Sequence, residues 1–361
     1  MLGLKTLVTV ATLFLADLVS CQQPQTQPRP LLDVLKENAE TAALATLLSN
    51  PQYAQLAGFF NNTGSNNTLI APSTTALGTA MQADLGKLQA SDNTTDMISA
   101  FLRYHIVEGG VRTTSLSNGV TIRKTQLKGK PFVNLPNDGA QVVAFIKDEL
   151  GVSVSYGVDK ARIVQSDLET SSGVVQVVDK VLMIPQNVST TAALAKNEAF
   201  VKAITEKNLS SVINTLEGVT VFVPTNEALS KVLNSSSTMN DTVVANLLKY
   251  HVIHPQVYYS PDLTNNTNIT TVQGGSLTVI NQDNKVILRD ANNNQVNVVM
   301  PNLITSNGVI HVIDGVLTPP PNMINTTIPG TTGARSGASN VAIGSATLGL
   351  SAFMTLLVLL L

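Results

Sequence analysis

The sequence has little cysteine, tryptophan or charge, and each shortage excludes a class of protein. Its 361 residues contain one cysteine, Cys21, and no tryptophan. A single cysteine cannot form a disulfide framework, and the lack of indole rings disfavours a lectin that stacks sugars on tryptophan. Charged residues make up 13% of the chain and the formal net charge is −2. Because this balance gives no basic field, we expect no nucleic acid among the partners.

Catalytic signatures are also missing. The sequence contains no Gly-x-Ser-x-Gly, His-Glu-x-x-His, P-loop or Gly-x-Gly-x-x-Gly pattern. His311 and Asp314 resemble a base and its orienting acid. Three residues apart on a predicted strand, however, their side chains leave opposite faces unless the strand ends between them. The sequence therefore predicts no catalytic residues and no cofactor, and hence no enzyme.

A metal site is disfavoured for related reasons. His251 and His254 have a spacing that could bring two imidazoles onto one helical face, yet two ligands are too few for a zinc site. His254 precedes Pro255, where a helix should already have ended. The first half of the chain has Glu108 at the matching position. We expect no metal ligands.

The N-terminus resembles a signal peptide. Lys5 precedes an apolar run at residues 7–15, which is long enough for a signal peptide and too short to span a bilayer. Cleavage after Cys21 would remove residues 1–21 and leave a mature chain without cysteine. The alternative is an N-terminal core helix.

The C-terminus resembles a signal for glycosylphosphatidylinositol (GPI) attachment. Residues 341–361 are uncharged, and the small, polar stretch TTGARSGASN precedes them at residues 331–340. Small residues, a spacer and a terminal apolar tail are typical of this signal. We favour attachment at Gly337, with residues 321–337 as a linker and 338–361 removed; Ser336, Asn340 and Gly333 are alternative attachment residues. A plain C-terminal membrane helix is the other interpretation.

Ten Asn-x-Ser/Thr sequons agree with a secretory route. Each match alone is weak, because the pattern is short and asparagine is abundant. The predicted glycosylation sites are Asn61, Asn66, Asn93, Asn187, Asn208, Asn234, Asn240, Asn265, Asn268 and Asn325.

Three segments occur twice in the same order. NTLIAPSTTAL at residues 67–77 matches VTVFVPTNEAL at 219–229, and LRYHIV at 102–107 matches LKYHVI at 248–253. SSGVVQVVDKVLMIP at 171–185 matches SNGVIHVIDGVLTPP at 306–320. A period near 150 residues indicates duplicated domains. We predict them at residues 30–186 and 190–320.

Periodicity predicts helices first and strands later within each half, which favours the α+β class. Helical spacing covers residues 31–48 and 194–213, and the Tyr-His segments end further helices. Thr225 or Asn226 could cap a helix after the strand at 219–223. Residues 276–280 and 285–289 are predicted to form a hairpin, and 174–178 and 309–313 the last strands.

These segments resemble the hallmarks of the fasciclin domain. The second half carries all three, as VFVPTNEAL, LKYHVI and GVIHVIDGVLTPP. The first half departs at Gln176, which stands in the position of His311, and at Thr74-Thr75, which replaces Asn226-Glu227. The resemblance implies two tandem domains, each a wedge-like antiparallel β-sandwich packed beside several α-helices. It also implies a secreted or surface-anchored glycoprotein that acts in adhesion or matrix contact.

The two Tyr-His pairs, Tyr104-His105 and Tyr250-His251, have two interpretations. Their apolar neighbours predict a core stripe in which each ring needs a hydrogen-bond partner. Alternatively one ring is exposed as part of an adhesion surface, since the resemblance implies a link between this region and integrin binding in some animal members. No Arg-Gly-Asp tripeptide is present.

The sequence therefore predicts a GPI-anchored surface glycoprotein for cell adhesion or for contact with a cell wall or matrix. The expected partners are an unidentified cell-surface, wall or matrix component and, through the lipid anchor, the outer leaflet of the plasma membrane. One alternative is a structural wall or matrix component without a specific receptor. Another is a small-ligand carrier or enzyme, which requires a deep polar pocket around His251, His311 or Asp314.

Overall fold

The computed structural model describes residues 29–49, 51, 58, 66–84, 94–235, 240–282 and 285–321. The predicted signal peptide, the candidate attachment residues and nearly all of the linker lie outside these residues. So do the sequons at Asn61, Asn93 and Asn325. Among the described residues no helix is long and apolar enough to cross a bilayer.

The first half of the chain contains helices and a closed barrel of seven strands. The helices are α1 Leu31–Glu37, α2 Ala42–Leu48, α3 Thr74–Asp84 and α4 Thr94–Tyr104. The strands are β1 Asn67–Pro72, β2 Ile106–Val107, β3 Gly119–Lys128, β4 Ala140–Asp148, β5 Gly151–Tyr156, β6 Asp159–Thr170 and β7 Gly173–Val178.

The second half repeats this plan. Its helices are α5 Val188–Leu194, α6 Glu198–Glu206, α7 Ser210–Thr215, α8 Asn226–Ser235 and α9 Asp241–Tyr250. Its strands are β8 Val219–Pro224, β9 Val252–Ile253, β10 Asn268–Thr270, β11 Ser276–Gln282, β12 Lys285–Arg289, β13 Gln295–Thr305 and β14 Gly308–Ile313. They form a sheet in the order β10-β11-β12-β13-β14-β8-β9. The amide of Val272 donates to the Val252 carbonyl at 2.7 Å and so links the two ends of the sheet.

The two predicted N-terminal helices are interrupted. In residues 31–48 the break falls at Asn38, whose side chain leaves the helix to accept a hydrogen bond from the Glu40 amide at 3.0 Å. In residues 194–213 the breaks follow the ends of α5 and α6. Lys196 and Asn208 lie two residues beyond these ends and have left-handed backbones, with φ of 63° and 55°. Left-handed residues stop helices, and apolar spacing alone could not show these stops.

The predicted fold class is confirmed, and the structure adds one parallel strand pair to each domain. Strand β1 pairs with β7 in parallel, and β8 pairs with β14 in the same way. Every other strand pair in the described residues is antiparallel. The predicted hairpin is present as β11 and β12, and the predicted last strands are β7 and β14.

Glycine is required where each last strand begins. Gly173 and Gly308 have φ of 151° and 156°. A Cβ at either position would lie 1.8 Å from a backbone carbonyl oxygen of the first strand, that of Asn67 or Val219. Only glycine permits this approach of two strands.

The parallel pair lies between two apolar clusters in each domain. In the first domain, Val175 and Val177 face the helices, whereas Ile70 and Val178 face the barrel interior. Strands buried on both faces are continuous apolar runs rather than alternating ones. This accounts for GVVQVV and VTVFVP, which are buried at every residue.

The two domains contact one another directly. Asn134 of the β3–β4 loop donates its amide to the Ser306 carbonyl at 2.8 Å and accepts from the Gly218 amide at 3.2 Å. Gln141 donates its side-chain amide to the Thr305 carbonyl at 3.0 Å. An apolar patch completes the contact, formed by Val142, Ala144 and Ile304 with Val120, Ile122 and Tyr259 packed against them.

Candidate functional site

Each Tyr-His histidine bridges two backbone segments in its domain. His105 follows α4, its Nδ1 lies 2.9 Å from the Phe101 carbonyl, and its Nε2 accepts from the Leu182 amide at 3.1 Å. Because a carbonyl only accepts and an amide only donates, the proton must be on Nδ1. The ring therefore satisfies a carbonyl in the last turn of the helix and ties it to the segment that follows β7.

The second domain repeats this histidine bridge. The Nδ1 atom of His251 lies 2.8 Å from the Leu247 carbonyl, and its Nε2 accepts from the Leu317 amide at 3.0 Å. Both histidines are 1% exposed. Burial lowers the pKa of His105 and of His251 to about 4, although the bond to the helix carbonyl opposes the shift. Both rings are therefore neutral at neutral pH.

The tyrosines of the two pairs are buried in the core. Tyr104 donates its hydroxyl to the Val142 carbonyl at 3.2 Å, and Tyr250 donates to the Ser276 carbonyl at 2.7 Å. Burial raises the pKa of Tyr250 to about 12 and that of Tyr104 well above its usual value. Both rings are 0% exposed. A partner at the surface therefore cannot touch either pair in this conformation, and any adhesion role of the pairs would have to be indirect.

Gln176 makes the same contact in the first domain as His311 makes in the second. The Gln176 side-chain amide donates to the Val111 carbonyl at 2.8 Å, and His311 Nε2 donates to the Tyr258 carbonyl at 2.8 Å. The two carbonyls are equivalent, since the amides of Val111 and Tyr258 both donate to the threonine at the second position of the first strand. The substitution therefore preserves a structural hydrogen bond.

The two side chains differ in how completely they are satisfied. Gln176 Oε1 accepts from the Asp167 amide at 3.0 Å, and its nitrogen also donates to the Asp167 carboxylate at 2.7 Å. His311 Nδ1 is buried and has no hydrogen-bond partner among the described residues. Burial lowers the pKa of His311 to about 4.

His311 and Asp314 do not form a dyad. His311 is 0% exposed, whereas Asp314 is exposed. Asp314 accepts from the Asn297 amide at 2.8 Å and from the Asn297 side chain at 2.7 Å. Asp179 accepts from the Arg162 amide at 2.7 Å in the first domain. Both aspartates therefore hold the end of the last strand to the neighbouring strand.

His251 and His254 do not share a metal site. Both nitrogens of His251 are occupied by backbone groups, and His254 is exposed, with Nδ1 3.2 Å from the Gly218 carbonyl. Glu108, at the matching position, forms an ion pair with Lys128 at 3.6 Å. In the part of the chain that the structure describes, no three His, Cys, Asp or Glu residues are grouped to hold a metal ion.

The first domain also departs from the hallmark pattern at Thr74, which replaces Asn226, and both of these side chains make structural contacts. Asn226 does not cap its own helix: its Oδ1 accepts from the Ala199 amide at 3.0 Å, and its nitrogen donates to the Lys196 carbonyl at 2.8 Å. Thr74 donates its hydroxyl to the Ala39 carbonyl at 3.1 Å. Both side chains hold the turn between the first helices of their domain, so threonine performs part of the role of asparagine.

Asp290 is a buried carboxylate that the sequence analysis did not select. It accepts from the amide and hydroxyl of Thr318 at 3.0 and 2.6 Å and from the amides of Asn292 and Asn294 at 2.9 Å. Burial alone would raise the pKa of Asp290, but these hydrogen bonds outweigh it and hold the pKa below its usual value. The one available signal in the sequence is an aspartate directly before an asparagine-rich turn. The side chain of an aspartate in this position often accepts hydrogen bonds from the backbone of the turn.

The sequons differ in how the structure presents them. Asn66, Asn208, Asn234, Asn240, Asn265 and Asn268 are exposed, and Asn187 is partly buried. The Oδ1 atoms of Asn187 and Asn240 cap helices by accepting from the amides of Thr190 and Val243. A glycan attaches to Nδ2, so these caps leave the reactive nitrogen out of the hydrogen bond.

A carrier or an enzyme would need a polar pocket at the histidines, but in the part of the chain that the structure describes His251 and His311 are packed in the core at 1% and 0% exposure. One depression in the described residues has a volume of about 50 Å³ and is lined mainly by aliphatic side chains. It is large enough for one or two waters. It is lined by Leu209, Val212, Ile213, Leu216, Lys249, Val252 and Val272. His251, His311 and Asp314 are not among them.

Comparison with known proteins agrees with the repeated plan. The family model of the fasciclin domain matches residues 42–185 and 195–319. The chain belongs to the fasciclin family. It is 25% identical over 288 residues to a fasciclin-like arabinogalactan protein of Arthroderma benhamiae, covering 74% of this chain and 64% of that protein. It is 26% identical over 298 residues to the fasciclin-like arabinogalactan protein elcF of Phaeosphaeria nodorum, covering 81% of this chain and 89% of the relative.

Comparison with solved structures also finds a similar chain, and the two chains superpose poorly over their whole length. The fasciclin domain pair of the insect cell adhesion molecule fasciclin I is 17% identical. The match covers 80% of this chain and 99% of that one, with a TM-score of 0.38.

Proposed function

We propose that this chain is an N-glycosylated binding protein, held at the cell surface by a GPI anchor, whose two fasciclin domains contact a cell-surface, wall or matrix component. The observation that carries the proposal is the tandem fasciclin pair, in which the tyrosines and histidines of the hallmark motifs, Tyr104, His105, Tyr250, His251 and His311, are buried in the domain cores. Such domains offer surfaces rather than a reaction centre, and two of them on one chain suit weak, multivalent contacts.

Exposed sequons support an extracellular location. Six of the predicted sites present an exposed asparagine in the described residues. Glycans at these sites would supply surface hydration to a chain with only 13% charged residues. Secretion is also consistent with the absence of cysteine after Cys21, because no thiol would meet an oxidising compartment.

The membrane attachment rests on the sequence beyond the second domain. The second fasciclin match ends at residue 319, and the small-residue stretch at 331–340 and the apolar tail at 341–361 follow it. Attachment at Gly337 would leave the predicted linker, residues 321–337, between the domain and the lipid. A linker of this length holds the domains off the bilayer without fixing their orientation.

The alternative functions make different demands. A structural wall or matrix component needs the same topology and differs only in lacking a specific receptor. A carrier or an enzyme needs a polar cavity at His251, His311 or Asp314, and the burial of both histidines disfavours it. Only the first alternative therefore needs a separate experiment.

Binding of the soluble ectodomain separates a receptor-binding protein from a structural component. Residues 22–336, secreted and glycosylated, should bind to cells or isolated wall material with a saturable isotherm that an excess of the unlabelled ectodomain displaces. The same ectodomain after acid unfolding is the control and should lose this binding. Binding that rises linearly and resists competition would contradict a specific receptor and favour the structural component.

A further inference from the structure

The first and last strands of each domain are parallel neighbours. In the second domain β8 and β14 are paired residue by residue from Val219 and Gly308 to Pro224 and Ile313. In the first domain β1 and β7 are paired from Asn67 and Gly173 to Pro72 and Val178. Both last strands and β8 are buried along their whole length. The chain therefore enters and leaves each strand layer through one buried six-residue ladder.

This arrangement fixes how a pulling force acts on the ladder. The chain enters β8 at Val219 and leaves β14 at Ile313, which lie at opposite ends of the pair. Pulling these ends apart slides one strand along the other. Because the hydrogen bonds of a parallel pair are evenly spaced, sliding loads them together, whereas pulling both strands from the same end breaks them one after another.

The chain is also secured where it leaves the second domain. Just after β14, Asp314 accepts from the Asn297 amide, and the Leu317 amide donates to His251. The amide and the hydroxyl of Thr318 both donate to the buried Asp290. A pull on the C-terminal segment therefore meets these bonds before it reaches the ladder.

We propose that each fasciclin domain is a load-bearing module in which tension along the chain is resisted by shear of the parallel first and last strands. This inference concerns mechanical strength and goes beyond the proposed function, because it holds for any tether at the C-terminus. The helices that precede each first strand lie outside the ladder. Tension arriving from the first domain passes through α5–α7, which precede β8, before it loads the β8–β14 pair.

Pulling one folded domain in two directions tests the proposal. The single cysteine makes this practical: in a full chain with Cys21→Ser, two new cysteines carry the handles. The shear variant has Glu217→Cys and Pro321→Cys, which flank β8 and β14 at opposite ends. The peeling variant has Glu217→Cys and Ser306→Cys, which lie at the same end of the ladder.

The expected result is a rupture force at least twofold higher for the shear variant at the same pulling rate. Unfolding is identified by its length, about 340–370 Å for the 104 residues between positions 217 and 321 and about 290–320 Å for the 89 residues between 217 and 306. The handle positions are exposed or half-exposed, and equal melting temperatures verify that both variants fold. Equal rupture forces, or a higher force in the peeling direction, would overturn the proposal.

Discussion

Acidification from pH 7 to pH 4 should cost the second domain about 6 kcal/mol of unfolding free energy and the first domain about 3 kcal/mol. The second domain contains two buried neutral histidines, His251 and His311, and the first contains one, His105. Burial lowers the pKa of each to about 4, against 6.5 for a free histidine. An effect of this size is comparable to the whole stability of many domains.

The sign follows from where each histidine binds its proton. Below pH 6.5 these histidines bind protons in the unfolded chain but stay neutral in the folded domain. Acid therefore favours unfolding. The stability is fully present above pH 6.5, is lost as the pH falls towards 4, and changes little more from this source below pH 4. Neutral histidine is also the form that the bridges require, because Nε2 accepts a hydrogen bond only when it carries no proton.

Hydrogen exchange resolved by peptide, measured between pH 7 and pH 4 and corrected for the intrinsic rate, reports the two domains separately. The control variant is His311→Gln, which copies the first domain and removes one of the two titrating groups. It should reduce the acid loss of the second domain to about that of the first. Equal losses in the two domains of the natural chain, or stability that is flat across this range, would contradict the assignment.

Replacement of the bridging histidine should strongly destabilise the second domain. His251→Ala leaves the Leu247 carbonyl and the Leu317 amide buried without partners and opens a cavity. At about 1–3 kcal/mol for each unsatisfied group, the expected loss is about 3–5 kcal/mol. Chemical denaturation followed by circular dichroism measures it.

The matched control for this change lies three residues along the chain. His254→Ala removes an exposed ring and should change stability by no more than about 0.5 kcal/mol. His105→Ala should reproduce the large effect in the first domain. If His251→Ala instead melted normally and abolished binding of the ectodomain to cells, the Tyr-His pair would act at the surface and the core assignment would be wrong.

Sequence patterns predicted the strands better than the helices, for a physical reason. The strands of the parallel pairs are buried on both faces, and their apolar runs end at proline or begin after glycine. The residues at which these strands begin and end can therefore be predicted from the local sequence. The helix limits depend on Asn38, Lys196 and Asn208, whose side-chain caps and left-handed backbones interrupt an unbroken apolar period. Such stops depend on contacts with other elements, which periodicity does not contain.

The hallmark residues were found from the sequence, but their contacts were not. The pattern selected His105, His251 and His311 and left core and surface roles open. Only the fold shows that the amides of Leu182 and Leu317, 77 and 66 residues away, complete the bridges. The pairing of β1 with β7 is equally non-local, and the tandem contact through Asn134 had no sequence signal.

The attachment of the chain to the outside of the cell is the claim on which the proposed function depends most. Intact cells that display the chain should release it when treated with phosphatidylinositol-specific phospholipase C. The released protein should end near Gly337 and lack residues 341–361, as judged by mass spectrometry of its C-terminal peptide. Retention on cells of a protein that still contains those residues would contradict the account and identify a membrane helix.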